Sequence, residues 1–195
     1  MEQIRSFIAV ELPAELKTWL TRLQARLKAG EPSGVKWVNP DGIHLTLKFL
    51  GNVATDRIEE ITRAIEAAAR GTPPFALKVS DPGVFPNLRR PQVVWVGLGG
   101  GIDKLSQIQQ NIESNLAKLG FAPESRPFTP HLTLARLRDW ASPDDRQKFG
   151  QFIADTRFEE AYTFPVDIIS LMKSQLTREG AIYSRISAVE LKKPL

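Results

Sequence analysis

The tetrapeptide His-Leu-Thr-Leu occupies residues 44–47 and recurs at 131–134, and the two copies hold both histidines of a 195-residue chain. Side chains alternate faces along a β-strand. His44 and Thr46 therefore share one face and Leu45 and Leu47 the other, and His131, Thr133, Leu132 and Leu134 repeat the arrangement. Each copy predicts a strand with a dry leucine side and a wet His/Thr side. Two imidazoles in matching settings are what an acid–base pair needs.

Working outward, residues 4–10 (Ile-Arg-Ser-Phe-Ile-Ala-Val) predict a strand, and Leu16, Leu20, Leu23 and Leu27 follow Pro13 at helical spacing, predicting a helix over 13–29. Glu-Pro-Ser-Gly at 31–34 ends it, residues 35–38 predict a short strand, and the first His-Leu-Thr-Leu strand runs to Gly51. A helix over 55–70 and a strand over 75–79 complete the first half, a Pro/Gly/Arg-rich loop over 81–91 follows, and a strongly apolar strand over 93–98 opens the second half. The pattern then restarts with a helix over 102–119, closed by Gly120, and a strand over 128–135. Ser142-Pro143-Asp144-Asp145 is an N-terminal cap signature opening a helix over 143–154. Two last strands, 164–173 and 181–191, flank a turn at Arg178-Glu179-Gly180.

The two halves superimpose at a constant offset of 87 residues, the separation of the two histidines. An internal repeat constrains architecture more than a single motif does. The short connections 79–93 and 173–181 predict hairpins and hence antiparallel pairing. The expected fold class is α+β, with two pseudo-symmetric lobes, each an antiparallel sheet with helices on its outer face, around a central cleft. Residues 1–195 are expected to form a single bilobal domain, with the repeat over approximately 4–80 and 91–170 and terminal strands within 164–191 completing the sheets.

Composition narrows the function. Hydrophobic residues make up 42% and charged residues 25%, ordinary for a globular protein, and no apolar run approaches a membrane span. The opening residues go straight into a strand pattern without the features of a signal peptide, so a cytoplasmic protein without a membrane partner is expected. A net charge of +4 suits an anionic ligand. Zinc normally takes three or four ligands, but there is no cysteine, no third histidine, and no carboxylate three or four residues after either histidine. No Gly-x-Ser-x-Gly elbow and no Gly-Lys-Ser/Thr phosphate loop is present. What remains is a pair of metal-free imidazoles with unperturbed pKa near 6.5, one able to serve as base while the other keeps its proton. Such a pair suits in-line displacement at a phosphodiester, with the hydroxyls of Thr46 and Thr133 donating to non-bridging oxygens.

These motifs resemble those of the two-histidine (2H) phosphoesterases, and within them the chain looks most like the bacterial and archaeal RNA 2′,3′-cyclic phosphodiesterases, also called 2′-5′ RNA ligases. The resemblance rests on Arg-Ser-Phe-Ile-Ala-Val-Glu-Leu-Pro at 5–13, His-Leu-Thr-Leu-Lys-Phe-Leu-Gly at 44–51, and Gly-Val-Phe-Pro at 83–86 with Pro-Gln-Val-Val-Trp-Val-Gly-Leu at 91–98. It continues through Arg-Pro-Phe-Thr-Pro-His-Leu-Thr-Leu-Ala-Arg at 126–136, Ser-Leu-Met-Lys-Ser at 170–174 and Tyr-Ser-Arg at 183–185. It implies metal- and ATP-independent opening of an RNA 2′,3′-cyclic phosphate end to a 2′-phosphate, with no cofactor, by a protein expected to be a monomer. The same chemistry with a 5′-hydroxyl in place of water gives 2′-5′ ligation. By position, His44 would be the proton donor, His131 the proton acceptor, and Thr46 and Thr133 would hold the phosphate; the near-identity of the motifs leaves the acid and base labels to the resemblance. Arg136 is expected to contact the phosphate, although its odd spacing from His131 sends it to the leucine face of a regular strand, so a strand end or a bulge must re-aim it. Activity on 2′-5′ linkages or on an ADP-ribose cyclic phosphate, and non-catalytic binding of RNA ends, are the alternatives.

Overall fold

The computed structural model describes residues 2–31, 33–157, 161–178 and 180–192; Pro32 of the helix-ending stretch and Glu179 of the expected turn lie outside them. The elements are β1 (Gln3–Glu11), α1 (Ala14–Leu27), β2 (Val35–Trp37), β3 (His44–Ala54), α2 (Ile58–Ala69), β4 (Phe75–Phe85), β5 (Val93–Gly100), α3 (Ile102–Lys118), β6 (His131–Leu137), α4 (Pro143–Asp155), β7 (Thr163–Val166), β8 (Ile168–Leu176) and β9 (Ala181–Glu190). They build two antiparallel sheets, a first of order β3-β1-β8-β9 and a second of order β2-β6-β5-β4-β7.

The local signals act as expected. Leu16, Leu20, Leu23 and Leu27 bury one stripe of α1, and Leu105, Ile108, Ile112 and Leu116 that of α3. Gly120, at φ +86°, closes α3 in the left-handed region. There the Phe121 N–H donates to the Leu116 carbonyl and the Gly120 N–H to the Ala117 carbonyl, both at 3.0 Å, the bond pattern of a Schellman cap. Ser142 caps α4 through its hydroxyl oxygen, which accepts from the Asp145 N–H at 3.1 Å, with Pro143 at the first position. The buried leucines of the repeated motifs, Leu45, Leu132 and Leu134, are fully enclosed; truncating such a side chain to alanine typically costs about 2–5 kcal/mol.

The largest differences from expectation lie in three strands. Strand β4 does not stop at Val79 but continues to Phe85 through residues expected to be loop. Pro82, which has no N–H to offer, is accommodated because the β4–β5 register shifts between Val79 and Pro82 and because β7 pairs only with Phe75 to Lys78, leaving that flank of β4 open. Strand β6 begins at His131, not Phe128. The expected strand over 164–173 is two strands: β7 pairs with β4 in the second sheet, and after Asp167 the chain crosses to the first sheet, where β8 pairs with β1 and β9.

The two repeats exchange elements. Strand β4, the last of the first repeat, pairs with β5 of the second, while β8 pairs with β1. Helices are shared likewise. From α1, Gln24 Nε2 donates to the Leu134 carbonyl of the second sheet at 3.0 Å, and from α4, Phe149 packs on Trp37 of the same sheet. From α2, Thr62 bonds Ser187 of the first sheet, and from α3, Glu113 pairs with Lys48 of the same sheet. Each sheet thus carries one helix from each repeat. Strands β3 and β6, which carry the two motifs, approach each other across a cleft. Among the described residues no helix is long and apolar enough to cross a membrane.

Candidate active site

His44, Thr46, His131, Thr133 and Arg136 all line one cleft of about 570 Å³. The imidazoles are anchored identically. His44 Nδ1 lies 2.8 Å from the carbonyl oxygen of Gly42, and His131 Nδ1 lies 2.6 Å from that of Thr129, in each case two residues upstream. A carbonyl oxygen can only accept, so Nδ1 carries the proton in both rings, and Nε2 is the atom left to exchange one with a ligand.

Each ring is also held by two aromatics, but by different ones. His44 packs on Phe7 at 4.6 Å between centroids and edge-on to Tyr183 at 4.9 Å. His131 meets Phe85 edge-on at 5.1 Å and Trp95 at 6.3 Å. Trp95 reaches this place because Gly83, its partner in the β4–β5 register, has no side chain: a Cβ there would stand 2.5 Å from the indole ring.

The phase problem at Arg136 is solved by a bulge. In the β5–β6 pairing Val94 faces Ala135 and Trp95 faces Thr133, so Leu134 is the extra residue. Leu134 and Ala135 both turn into the core, and alternation resumes with Arg136 exposed on the cleft side. The carbonyl freed at the bulge is satisfied from outside the sheet, accepting from Val38 N–H at 2.9 Å and from buried Gln24 Nε2 at 3.0 Å. The first motif carries the same device 87 residues earlier: Ile8 faces Lys48, Ala9 faces Thr46, and Leu47 is extra. Lys48 is thereby buried and Phe49 exposed. The same position of the repeat thus presents a benzyl ring on one wall of the cleft and a guanidinium on the other.

Other residues in and around the cleft carry no mark in the sequence pattern. Lys48, buried by the bulge, donates to Glu113 Oε2 at 2.6 Å and to the Ala122 carbonyl at 2.9 Å. Glu113 also accepts from Gln109 Nε2 and from the Glu124 N–H. This network ties the first motif to the segment that carries Arg126 and Thr129 and leads into the second. Arg5 and Arg126 add exposed cations to the lining. Glu11 sits opposite His44 in register and accepts from Ser170 Oγ and Arg185 Nε, both at 2.6 Å. Burial pushes the Glu11 carboxyl up, but the hydrogen bonds from Arg185 and Ser170 and the nearby positive charge outweigh it and hold it below the ordinary value. His44 is shifted down, chiefly by burial; its Gly42 hydrogen bond and the Glu11 charge oppose the shift, and Lys17 adds to it. A histidine or lysine on an alternating strand carries no sequence mark of such partners, which come from elements far along the chain.

With this geometry in place, comparison with known proteins decides the family. A family model described as the 2′-5′ RNA ligase superfamily matches residues 12–178. The chain belongs to that superfamily. It is 34% identical over 189 residues to a protein of Methanothermobacter thermautotrophicus named RNA 2′,3′-cyclic phosphodiesterase, covering 97% of this chain and all of that one. A protein of Escherichia coli K12 with the same name is 34% identical over 138 residues, 69% of this chain and 73% of that relative. Among solved structures, that of E. coli LigT complexed with 3′-AMP superimposes with a TM-score of 0.79 at 26% identity, over 98% of this chain and all of LigT. Among the described residues of this superfamily member no group of three or more His, Cys, Asp or Glu side chains is placed to hold a metal ion.

Proposed function

We propose that this protein opens the 2′,3′-cyclic phosphate of an RNA end to a 2′-phosphate through an acid–base pair of His44 and His131, and joins such an end to a 5′-hydroxyl as a 2′-5′ linkage when that hydroxyl replaces water. The observation that carries the reading is the matched pair of imidazoles, each with Nδ1 committed to a backbone carbonyl and Nε2 available to one cleft. In the reaction, His131 Nε2 takes the proton of the attacking water as its oxygen bonds to phosphorus. The P–O3′ bond breaks as His44 Nε2–H delivers its proton to the leaving oxygen, giving a 2′-phosphomonoester and a 3′-hydroxyl. Thr46 and Thr133 donate to the non-bridging oxygens, and Arg136 supplies a fixed cation to the phosphate.

One feature of the site works against the donor role. Burial favours the neutral form of His44. A phosphodiester brings negative charge beside the ring and raises its pKa again, as Glu11 already does in part. The test is turnover of an oligonucleotide with a 2′,3′-cyclic phosphate end in the presence of chelator. A 2′-phosphate product supports the proposal; a 3′-phosphate product or loss of activity on chelation refutes it. A substrate with sulfur in place of O3′ assigns the roles, because a thiolate leaves without protonation. Rescue of His44→Ala but not His131→Ala supports His44 as donor; the reverse pattern exchanges the two.

A further inference from the structure

The cleft walls differ in one element. Strand β2 lies between α1 and β3, and at the corresponding place in the second repeat, residues 122–130, there is no strand. It adds a fifth strand to the second sheet, beside β6, while β3 stays at the edge of the first. Lys36 of β2 stands directly opposite Arg136 of β6. Directly opposed residues of an antiparallel pair share a face. Burial agrees: Lys36 and Arg136 are exposed while their flanking neighbours Val35, Trp37, Ala135 and Leu137 are half-buried or buried. The unduplicated strand therefore extends the cation of the cleft sideways along the same surface.

The row continues at that end of the sheet. Arg138 follows Leu137 as the next exposed residue, and its N–H donates to the Gly34 carbonyl at 2.8 Å. The β4–β5 turn carries exposed Arg89 and Arg90, whose N–H groups both donate to Asn87 Oδ1 at 3.1 Å. That turn is joined to the end of β6 by the Leu137 N–H bonding the Gln92 carbonyl at 2.9 Å. Among the described residues none of these five cations is in an ion pair, although Arg57, Arg63 and Arg185 elsewhere are. Asp139 is the acid nearest to them in sequence. Exposed cations outside any ion pair, gathered at one end of the sheet that carries Arg136, match the repeating charge of a single-stranded polynucleotide.

We propose that the body of a single-stranded polynucleotide leaves the cleft over this surface, its phosphates meeting Arg136, Lys36 and Arg138 and then the Arg89–Arg90 turn, so that the protein favours a polynucleotide end over a mononucleoside cyclic phosphate. The proposal rests on the cyclic-phosphate reading of the site. Its test is binding, measured by fluorescence anisotropy of a labelled oligouridylate with a 2′,3′-cyclic phosphate end across a range of KCl, in a His44→Ala background that keeps the end intact. Lys36→Ala and Arg138→Ala are each expected to weaken binding several-fold and to reduce the slope of log affinity against log salt by about 0.7, the value for one single-strand phosphate contact. Lys118→Ala removes the same charge from the end of α3 and is expected to change neither. Variants that leave affinity and slope intact, or a Lys118→Ala effect equal to theirs, overturn the proposal. Opening of uridine 2′,3′-cyclic phosphate by the wild-type protein reports on the reaction separately. Turnover without loss of slope refutes the track alone; loss of slope without turnover of either substrate refutes the reaction and leaves the track standing.

Discussion

Replacing Lys48 by methionine removes one side of an ion pair that ties the two motifs together. The Lys48 side chain is 4% exposed and that of Glu113 17%, with 2.6 Å between their charged atoms. Taking one partner from a buried pair costs roughly 3–5 kcal/mol, because the other charge is left without compensation. Glu113 keeps the Gln109 and Glu124 donors and some contact with water, which places the Lys48→Met cost near the lower end, about 3 kcal/mol. For a chain of this size that is a fall in Tm of roughly 6–12 °C. The double variant Lys48→Met/Glu113→Leu leaves no orphaned charge and is expected to cost no more than about 1 kcal/mol, since apolar replacement of a whole pair is often neutral. Urea unfolding of the four proteins measures the coupling, expected to be at least about 2 kcal/mol. Because the network also holds the segment whose Thr129 carbonyl anchors His131, kcat/KM of Lys48→Met is expected to fall by about 10- to 100-fold, the scale of a small misplacement of a catalytic group. Strictly additive single and double variants would rule this coupling out.

Three more outcomes follow from the same geometry. Alanine at His44 or at His131 is expected to lower kcat by about 10²–10⁴-fold with the fold retained, read by steady-state turnover and circular dichroism. Because the folded pKa of His44 is lowered from 6.5, the unfolded chain binds more protons in the window below that value; urea stability should therefore decline as pH falls from about 6.5 through the folded pKa and then level, a decline absent from His44→Ala. Glu11, whose folded pKa is also lowered, likewise loses stabilisation as pH falls, but from the ordinary carboxylate value downward, and that decline persists in His44→Ala. Gly83→Ala drives a methyl into the Trp95 indole and is expected to cost about 1–3 kcal/mol and to lower turnover through displacement of the ring beside His131; an unchanged urea midpoint and rate would show that Trp95 does not brace the imidazole.

Elements whose causes are local were legible in the sequence. The helices follow from leucine and isoleucine spacing and from Gly120 and Ser142 at their ends. The duplication follows from the constant offset, and the faces of His44, Thr46, His131 and Thr133 follow from simple alternation. The remainder depends on partners distant in the chain. Whether Leu47 and Leu134 are bulged is a matter of register against β1 and β5, and that register sends Arg136 and Phe49 to the cleft and Lys48 into the core. Residues 163–176 make two strands because the first part pairs with β4 and the second with β1, and the exchange of β4 and β8 between repeats is invisible to periodicity. Alternation is a property of consecutive residues, whereas bulges and sheet membership are properties of hydrogen bonds between residues far apart in sequence.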